Sequence, residues 1–191
     1  MMSDNHFSSI DYVKIDFTQG SIEKGEYDNC TFVNCNFQSA QVLSIQFIEC
    51  QFTDCNFSNA IIKDSSFINV YFVGCKMIGV KFHEANQFLL QFSFKECQLN
   101  FSSFYKLKIP NTSFISCNLE HVDFTETLAT KTIFEDCNLR GAIFEATNLE
   151  KTDFRTASNF NLNPLNSKLK GARFSRTTIE GVVSQFQIII E

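Results

Sequence analysis

Residues 47–58, FIECQFTDCNFS, decide the fold of this chain, because apolar and small residues recur in them with a period of five. Phe52 and Phe57 are five residues apart, and Cys50 and Cys55 each stand two positions before one of them. The residues between are mostly polar. A period of five fits neither the 3.6-residue repeat of an α-helix nor the two-residue alternation of a β-strand. It indicates a chain that turns a corner every five residues.

The same period extends over most of the chain. From Phe7, every fifth residue is apolar as far as Phe82; after a slip of two residues, the pattern resumes at Phe94 and continues to Phe154. All eight cysteines stand two positions before such a central residue, in a slot shared with Ala, Ser, Val and Thr. Four five-residue sides close a coil of about twenty residues, and stacked coils form parallel β-ladders about 4.8 Å apart. The sequence therefore predicts an all-β solenoid.

A superperiod of about twenty residues predicts which side chains stack in the core. The expected ladders contain Phe32, Phe52 and Phe72; Phe94, Phe114, Phe134 and Phe154; Cys35, Cys55 and Cys75; and Cys97, Cys117 and Cys137. Cysteine spacings of five and twenty match no zinc-ligand pattern. We therefore expect buried free thiols in a reducing compartment, with no metal and no cofactor.

Five-residue motifs carry a family resemblance. CNF at 35–37 and 55–57 and TDF at 152–154 follow the pattern A-[D/N]-[L/F]-x-x. The sequence thereby resembles the pentapeptide-repeat family over roughly residues 7–179. The resemblance implies a right-handed quadrilateral parallel β-helix. Among its members the chain looks similar to the Qnr-like quinolone-resistance proteins, which are cytoplasmic dimeric rods that resemble B-DNA in width and charge and bind type II topoisomerases.

The period is interrupted twice. At residues 83–93 two extra residues indicate either a local bulge, in which Phe88 or Leu89 still fills the core, or a protruding corner that touches a partner. At 159–168, Asn and Pro indicate a turn-rich excursion. We expect residues 1–179 to form the β-helix despite both interruptions.

Residues 180–191 are expected to form a short helix-plus-strand cap over the open end of the core. Val182, Val183 and Phe186 fit one face of a short helix, and residues 188–190 fit a strand. By the resemblance, such a tail forms a C2 homodimer. The expected dimerisation residues are Val182, Val183, Phe186, Ile188 and Ile190.

Two groups of residues are candidate partner contacts. The first group lies at the interruption and contains His83, Glu84, Gln87, Phe88 and Leu89. The second is a pair of outward apolar residues twenty positions apart, Ile48 and Ile68. Exposed apolar rows tend to mark contacts, although corner residues of a coil also pack lightly along its edge.

Charge and motifs limit the function. The net charge is −5, from 16 Lys and Arg against 21 Asp and Glu, and it is banded: −6 over residues 1–60, +3 over 61–110, −4 over 111–165 and +2 over 166–191. A nucleic-acid binder would show a basic stripe. The sequence also has no catalytic motif, membrane span or secretory signal, so we expect a cytoplasmic protein that is not an enzyme.

Two functions remain open at this point. One is a DNA-mimicking rod that binds DNA gyrase or topoisomerase IV and modulates it or protects it from poisons such as quinolones, as the resemblance implies. The other is a generic protein–protein interaction scaffold with no link to topoisomerases.

Overall fold

The computed structural model describes residues 5–20, 22–186 and 188, and in it the chain winds into a solenoid of short parallel strands. The strands are β1 (His6–Ser8), β2 (Asp11–Val13), β3 (Glu26–Asp28), β4 (Thr31–Val33), β5 (Gln46–Ile48), β6 (Gln51–Thr53), β7 (Ser66–Ile68), β8 (Val70–Val73), β9 (Phe92–Lys95), β10 (Ser113–Ile115) and β11 (Ile133–Glu135). One α-helix, α1 (Glu180–Val183), and two 3-10 turns, Phe82–Glu84 and Ser184–Phe186, complete the elements. The expected parallel β-solenoid is confirmed.

Each coil has four sides, numbered here in chain order. On side one, β1, β3, β5 and β7 form a parallel sheet, and on side two the remaining strands pair in parallel from β2 to β11. Single bridges join the coils on the other two sides, for example Asn36 with Asn56 on side three and Lys81 with Ser103 on side four. Successive coils therefore stack in sequence order, and bands of charge along the sequence become bands along the solenoid.

The aromatic rings of side two form one continuous column inside the solenoid. Neighbouring rings in it stack with centroids 4.6–5.4 Å apart: Tyr12, Phe32, Phe52, Phe72, Phe94, Phe114, Phe134, Phe154 and Phe174. Phe72 and Phe94 are 5.3 Å apart across the interruption, so the two expected ladders are one. Each stacked pair contributes about 0.5–1.5 kcal/mol beyond its area burial.

The small inward slot is chemically selective. Cys35, Cys55, Cys75, Cys97, Cys117 and Cys137 line it on side three, all buried and free. The Cys55 thiol donates to the Phe32 carbonyl of the preceding coil at 3.3 Å, and on another side the Thr127 hydroxyl donates to the Phe104 carbonyl at 2.8 Å. A small donor thus gives a buried backbone carbonyl a side-chain hydrogen bond, in the case of Phe104 in addition to the one from the Leu107 amide. Burial also raises the pKa of Cys50 to about 12, which leaves it a protonated thiol rather than a nucleophile at neutral pH.

The corners depend on left-handed backbone. The residue two positions after each central residue has a positive φ in most repeats, as in Asn29 at 50° and Asp54 at 52°. Asn, Asp and Gly tolerate this conformation best, and they occupy many of the corners. Two corners instead carry a large apolar residue, Leu89 at 55° and Phe101 at 60°.

The C-terminal end of the solenoid is covered by α1. After the excursion, Phe160 and Leu162 are buried, and the Leu162 amide donates to the Gly181 carbonyl at 2.7 Å. A Cβ on Gly181 would lie 2.6 Å from the Phe160 carbonyl oxygen, so only glycine allows this close approach. Val182 packs into the core beside it. No helix in the described part of the chain is long and apolar enough to cross a membrane.

Candidate protein-interaction face

The extra residues at the interruption leave the coil as a bulge on side one. The Asn86 amide donates to the Ser65 carbonyl at 2.9 Å, and the Gln91 amide donates to the Phe67 carbonyl at 2.8 Å. Two residues of the preceding coil are therefore matched by five residues; residues 87–89 bulge outward, and Leu90 packs back against the core. Immediately afterwards, β9 pairs with β8, Phe92 opposite Val70. The side-one sheet thus ends at β7, whereas the side-two ladder continues past the insertion.

The core under the bulge is filled from an unexpected position. Phe88 and Leu89 are 72% and 61% exposed, so the interpretation in which one of them fills the core is wrong. The corner protrudes, and its contact with a partner stays a prediction. Phe92 is buried in the small-residue slot, with its ring 5.5 Å from Phe82 and 5.0 Å from Phe94. Leu90 is half-buried and also packs against the core, so Leu90 and Phe92 together fill this coil. The FSF motif at 92–94, with an aromatic residue in that slot, is the sequence signal for the buried Phe92.

The bulge presents an apolar tip to solvent. Leu89 holds at the tip the left-handed conformation that recurs at the corners of the coil, which is less favourable for a branched apolar residue than for Asn, Asp or Gly. The Phe88 amide donates to the Asn86 side chain at 2.9 Å, which fixes the start of the turn. The tip is therefore an ordered turn that exposes two large apolar side chains.

The structure divides the candidate contacts of the interruption between two sides. His83 and Glu84 lie in the 3-10 turn that ends side four, and both are half-buried. His83 Nδ1 is 3.0 Å from the Ser103 hydroxyl, and Glu84 is 3.7 Å from Lys81 Nζ. Gln87 is exposed in the bulge with Phe88 and Leu89. The apolar tip and the His83 turn therefore face different directions.

Ile48 and Ile68 lie on the same side as the bulge. They are direct partners in the β5–β7 ladder, and both are half-buried. Beyond the bulge, the same side carries the exposed Pro110 and the half-buried Leu128. The apolar tip is thus part of a longer apolar row on side one, which we call the side-one row.

Charge on side one changes sign along the solenoid. Before the bulge the outward positions include Glu26, Asp28 and Glu49, and after it they include Lys108 and Lys131. Both kinds of charge flank the apolar row. Such a surface suits a protein partner with a mixed contact area better than a uniformly charged one.

The expected dimerisation residues lie at the C-terminal end. Val182 is buried against the last coil, Val183 is half-buried, and Phe186 and Ile188 are 50% and 56% exposed. Ile188 belongs to no strand in the described part of the chain, and Ile190 lies outside the described residues.

The described residues bring together no group of three or more His, Cys, Asp or Glu side chains able to hold a metal ion. The surface chemistry that the structure does show is apolar contact flanked by charge.

Comparisons with known proteins agree with this architecture. The family model for the pentapeptide repeat region matches residues 45–124, 87–154 and 108–183, so the chain belongs to the pentapeptide-repeat family. No curated protein matches the sequence.

Two solved structures share the fold. QnrB1, a plasmid-mediated fluoroquinolone resistance protein, is 18% identical with a TM-score of 0.50, covering 98% of this chain and 100% of its own. HetL, a pentapeptide repeat protein involved in heterocyst differentiation regulation in the cyanobacterium Nostoc, is 15% identical with a TM-score of 0.54, covering 89% and 86%.

Proposed function

We propose that this chain is a non-enzymatic, cytoplasmic rod that binds a protein through the side-one row. The observation that carries the proposal is the apolar tip, because Phe88 and Leu89 are exposed there while Leu90 and Phe92 pack on the core. Leu89 also stands in a backbone conformation that it disfavours. Neither exposure nor strain stabilises the monomer, whereas both are compatible with a contact surface.

The partner that we propose is a type II topoisomerase, DNA gyrase in the first place, which the rod modulates or protects from poisons such as quinolones. The fold shared with QnrB1 motivates this choice of target. The stacked coils place the acidic bands of residues 1–60 and 111–165 along the rod, where they can compete with DNA for a basic groove.

The test is a gyrase supercoiling assay with the purified full chain, with and without a fluoroquinolone. We expect the chain, at a few rods per gyrase, either to inhibit supercoiling or to restore the supercoiling activity that the drug inhibits. Replacing both Phe88 and Leu89 with Ser should remove the effect, and a Tyr71→Ser control on side two should retain it. No effect of the unmodified chain up to micromolar concentration would overturn the topoisomerase assignment.

A scaffold for a different protein is the second candidate, and the mixed charge around the side-one row favours it. The two candidates predict different sensitivities. Substitutions Ile48→Asp and Ile68→Asp should abolish capture of a scaffold partner, whereas charge reversal at Glu26 and Asp28 should matter more for a DNA-mimicking contact. We further propose that the exposed tail residues form a C2 homodimer, so that each assembly carries two such rows.

A further inference from the structure

The first coil of the solenoid ends in an unpaired sheet edge. β2 is the terminal strand of the side-two sheet and pairs only with β4. In a parallel ladder, alternate residues direct both backbone groups to the same neighbouring strand. In β4, the Thr31 amide donates to the Ile10 carbonyl of the first coil, and the Val33 carbonyl accepts from that coil. Asp11 and Val13 hold the same ladder positions in β2, so their amides and carbonyls point away from the rod.

These backbone groups have no hydrogen-bond partner among residues 5–20, 22–186 and 188. The opposite end of the solenoid is different, because α1 covers its last coil. An unpaired edge is a template for another strand, and natural proteins usually block it. Because β2 contains three residues, the strand that it can accept is short.

The side chains beside this edge form an apolar surface. The Tyr12 ring is half-buried, and only the next ring of the side-two column stacks on it, at 4.7 Å. The small slots of the first coil hold Ile10 and Ile15, which are 39% and 41% exposed, where the next coil holds Cys30 and Cys35. Those two thiols donate to carbonyls of the first coil at 3.4 Å. The first coil thus carries branched apolar side chains where the interior coils carry small hydrogen-bond donors.

The charge at this end is mainly acidic. Residues 5–28 contain five Asp and Glu against two Lys. Asp11 is exposed at the edge, where it accepts a hydrogen bond from the Thr31 hydroxyl and takes part in no ion pair within the described part of the chain. A second copy docked end to end would place the same acidic groups opposite each other, which is unfavourable. The charge therefore suits a basic segment of a different protein.

We propose that β2 is a docking edge for an extended segment of a protein partner, which adds to the rod as one more parallel strand. Continuing the ladder register places the central residue of the segment over the Tyr12 ring, the residue before it over Asp11 and the residue after it over Val13. An aromatic centre stacks on the ring, Lys or Arg pairs with the carboxylate, and Val or Ile packs on Val13. The segment therefore has the order basic, aromatic, β-branched. This contact lies outside the side-one row and goes beyond the function proposed above.

The test titrates the isotope-labelled full chain with acetyl-Ala-Lys-Phe-Val-Asn-amide to millimolar concentration and follows the backbone amide NMR shifts. We expect saturable shifts at Asp11 and Val13, because the Val13 amide gains an acceptor from the peptide. The Tyr71 amide is the internal control, since it lies in the interior of side two and already donates to the Cys50 carbonyl at 3.0 Å.

Two altered peptides separate the backbone contact from the charge. Methylation of the Phe amide nitrogen removes the donor to the Asp11 carbonyl and blocks close approach, so it should weaken binding at least about tenfold. Replacing Lys with Gln should weaken binding by about two- to fivefold. Equal binding of the methylated and unmethylated peptides, or no saturable shift at Val13 with the unmethylated one, would overturn the inference.

A proline variant tests the same edge from the side of the protein. Val13→Pro removes an amide that is unbonded in the described structure, and proline is tolerated on edge strands, so peptide binding should fall at least about tenfold with little change in the thermal melt. Ser8→Pro makes the matched change at the equivalent position of β1 and should retain binding. Equal losses of binding in both variants would contradict docking at β2.

Two other occupants of the edge give distinct results. Conversion of dimers to monomers by Val13→Pro in light scattering would assign the edge to a second copy. A tenfold gain in peptide affinity on deletion of residues 1–4 would assign it to the chain's own N-terminal segment, and either result would overturn the inference. Because these assays contain no topoisomerase, their failure is distinguishable from a negative supercoiling result.

Discussion

The burial of Phe92, at the start of β9, can be tested against the exposure of Phe88, four residues earlier in the bulge. Phe92→Ala removes a fully buried ring that lies 5.5 Å from Phe82, 5.0 Å from Phe94 and 6.0 Å from Phe104. Burying a Phe side chain contributes about 3 kcal/mol, and its ring contacts add about 1 kcal/mol or more. We therefore expect a loss of about 3–5 kcal/mol in the free energy of unfolding. Equilibrium urea unfolding followed by far-UV circular dichroism measures it.

Phe88→Ala is the matched control, because it makes the same chemical change at a side chain that is 72% exposed. Its expected cost is below about 0.5 kcal/mol. Phe92→Leu, which keeps most of the apolar volume, should cost about 1.5 kcal/mol. A cost below about 1 kcal/mol for Phe92→Ala, or a larger cost for Phe88→Ala than for Phe92→Ala, would refute the assignment of core and surface at the interruption.

Three further predictions follow from other parts of the molecule. Gly181→Ala should destabilise the chain by about 1–3 kcal/mol in thermal melts, because the added Cβ meets the Phe160 carbonyl. Helix propensity alone predicts the opposite, a stabilisation by about 1 kcal/mol. Burial raises the pKa of Cys50 from 9.0 to about 12, so as the pH rises the thiol loses its proton in the unfolded chain before it does in the folded chain. The free energy of unfolding should therefore fall as the pH rises above about 9. Urea midpoints measured against pH test this, and their fall with pH should be shallower in a Cys50→Ala control. Deleting residues 182–191 should yield monomers by light scattering, and a variant that remains dimeric would contradict the tail as the dimer interface.

The periodic part of the fold follows directly from the sequence. A central residue and a small residue recur in each repeat, and the superperiod identifies their neighbours in adjacent coils, as with Phe32 and Phe52. What it does not specify is the continuity of these columns across the interruption. That continuity depends on which backbone hydrogen bonds between the coils are kept at the bulge. Here they are the two that the Ser65 and Phe67 carbonyls accept.

The candidate site was harder to predict because its residues break the pattern. The apolar side chains of Phe88 and Leu89 fit a buried or an exposed position equally well, and the packing of Leu90 and Phe92 on the core decides between the two positions. The excursion at 159–168 shows the same limit of prediction from sequence. The period of five places Asn159 inward, five residues after Phe154, but the pattern shifts by one residue and Phe160 is buried instead.

The bulge also shows how the solenoid accommodates added chain. The hydrogen bonds at Asn86 and Gln91 close a short segment at its two ends, and the aromatic column continues past it with Phe72 and Phe94 in contact. Because loop entropy grows only slowly with length, a longer segment closed by the same two bonds should perturb the rod little. Residues 87–89 therefore form an insertion port, where a foreign peptide could be displayed on a stiff support while the coils on either side keep their register.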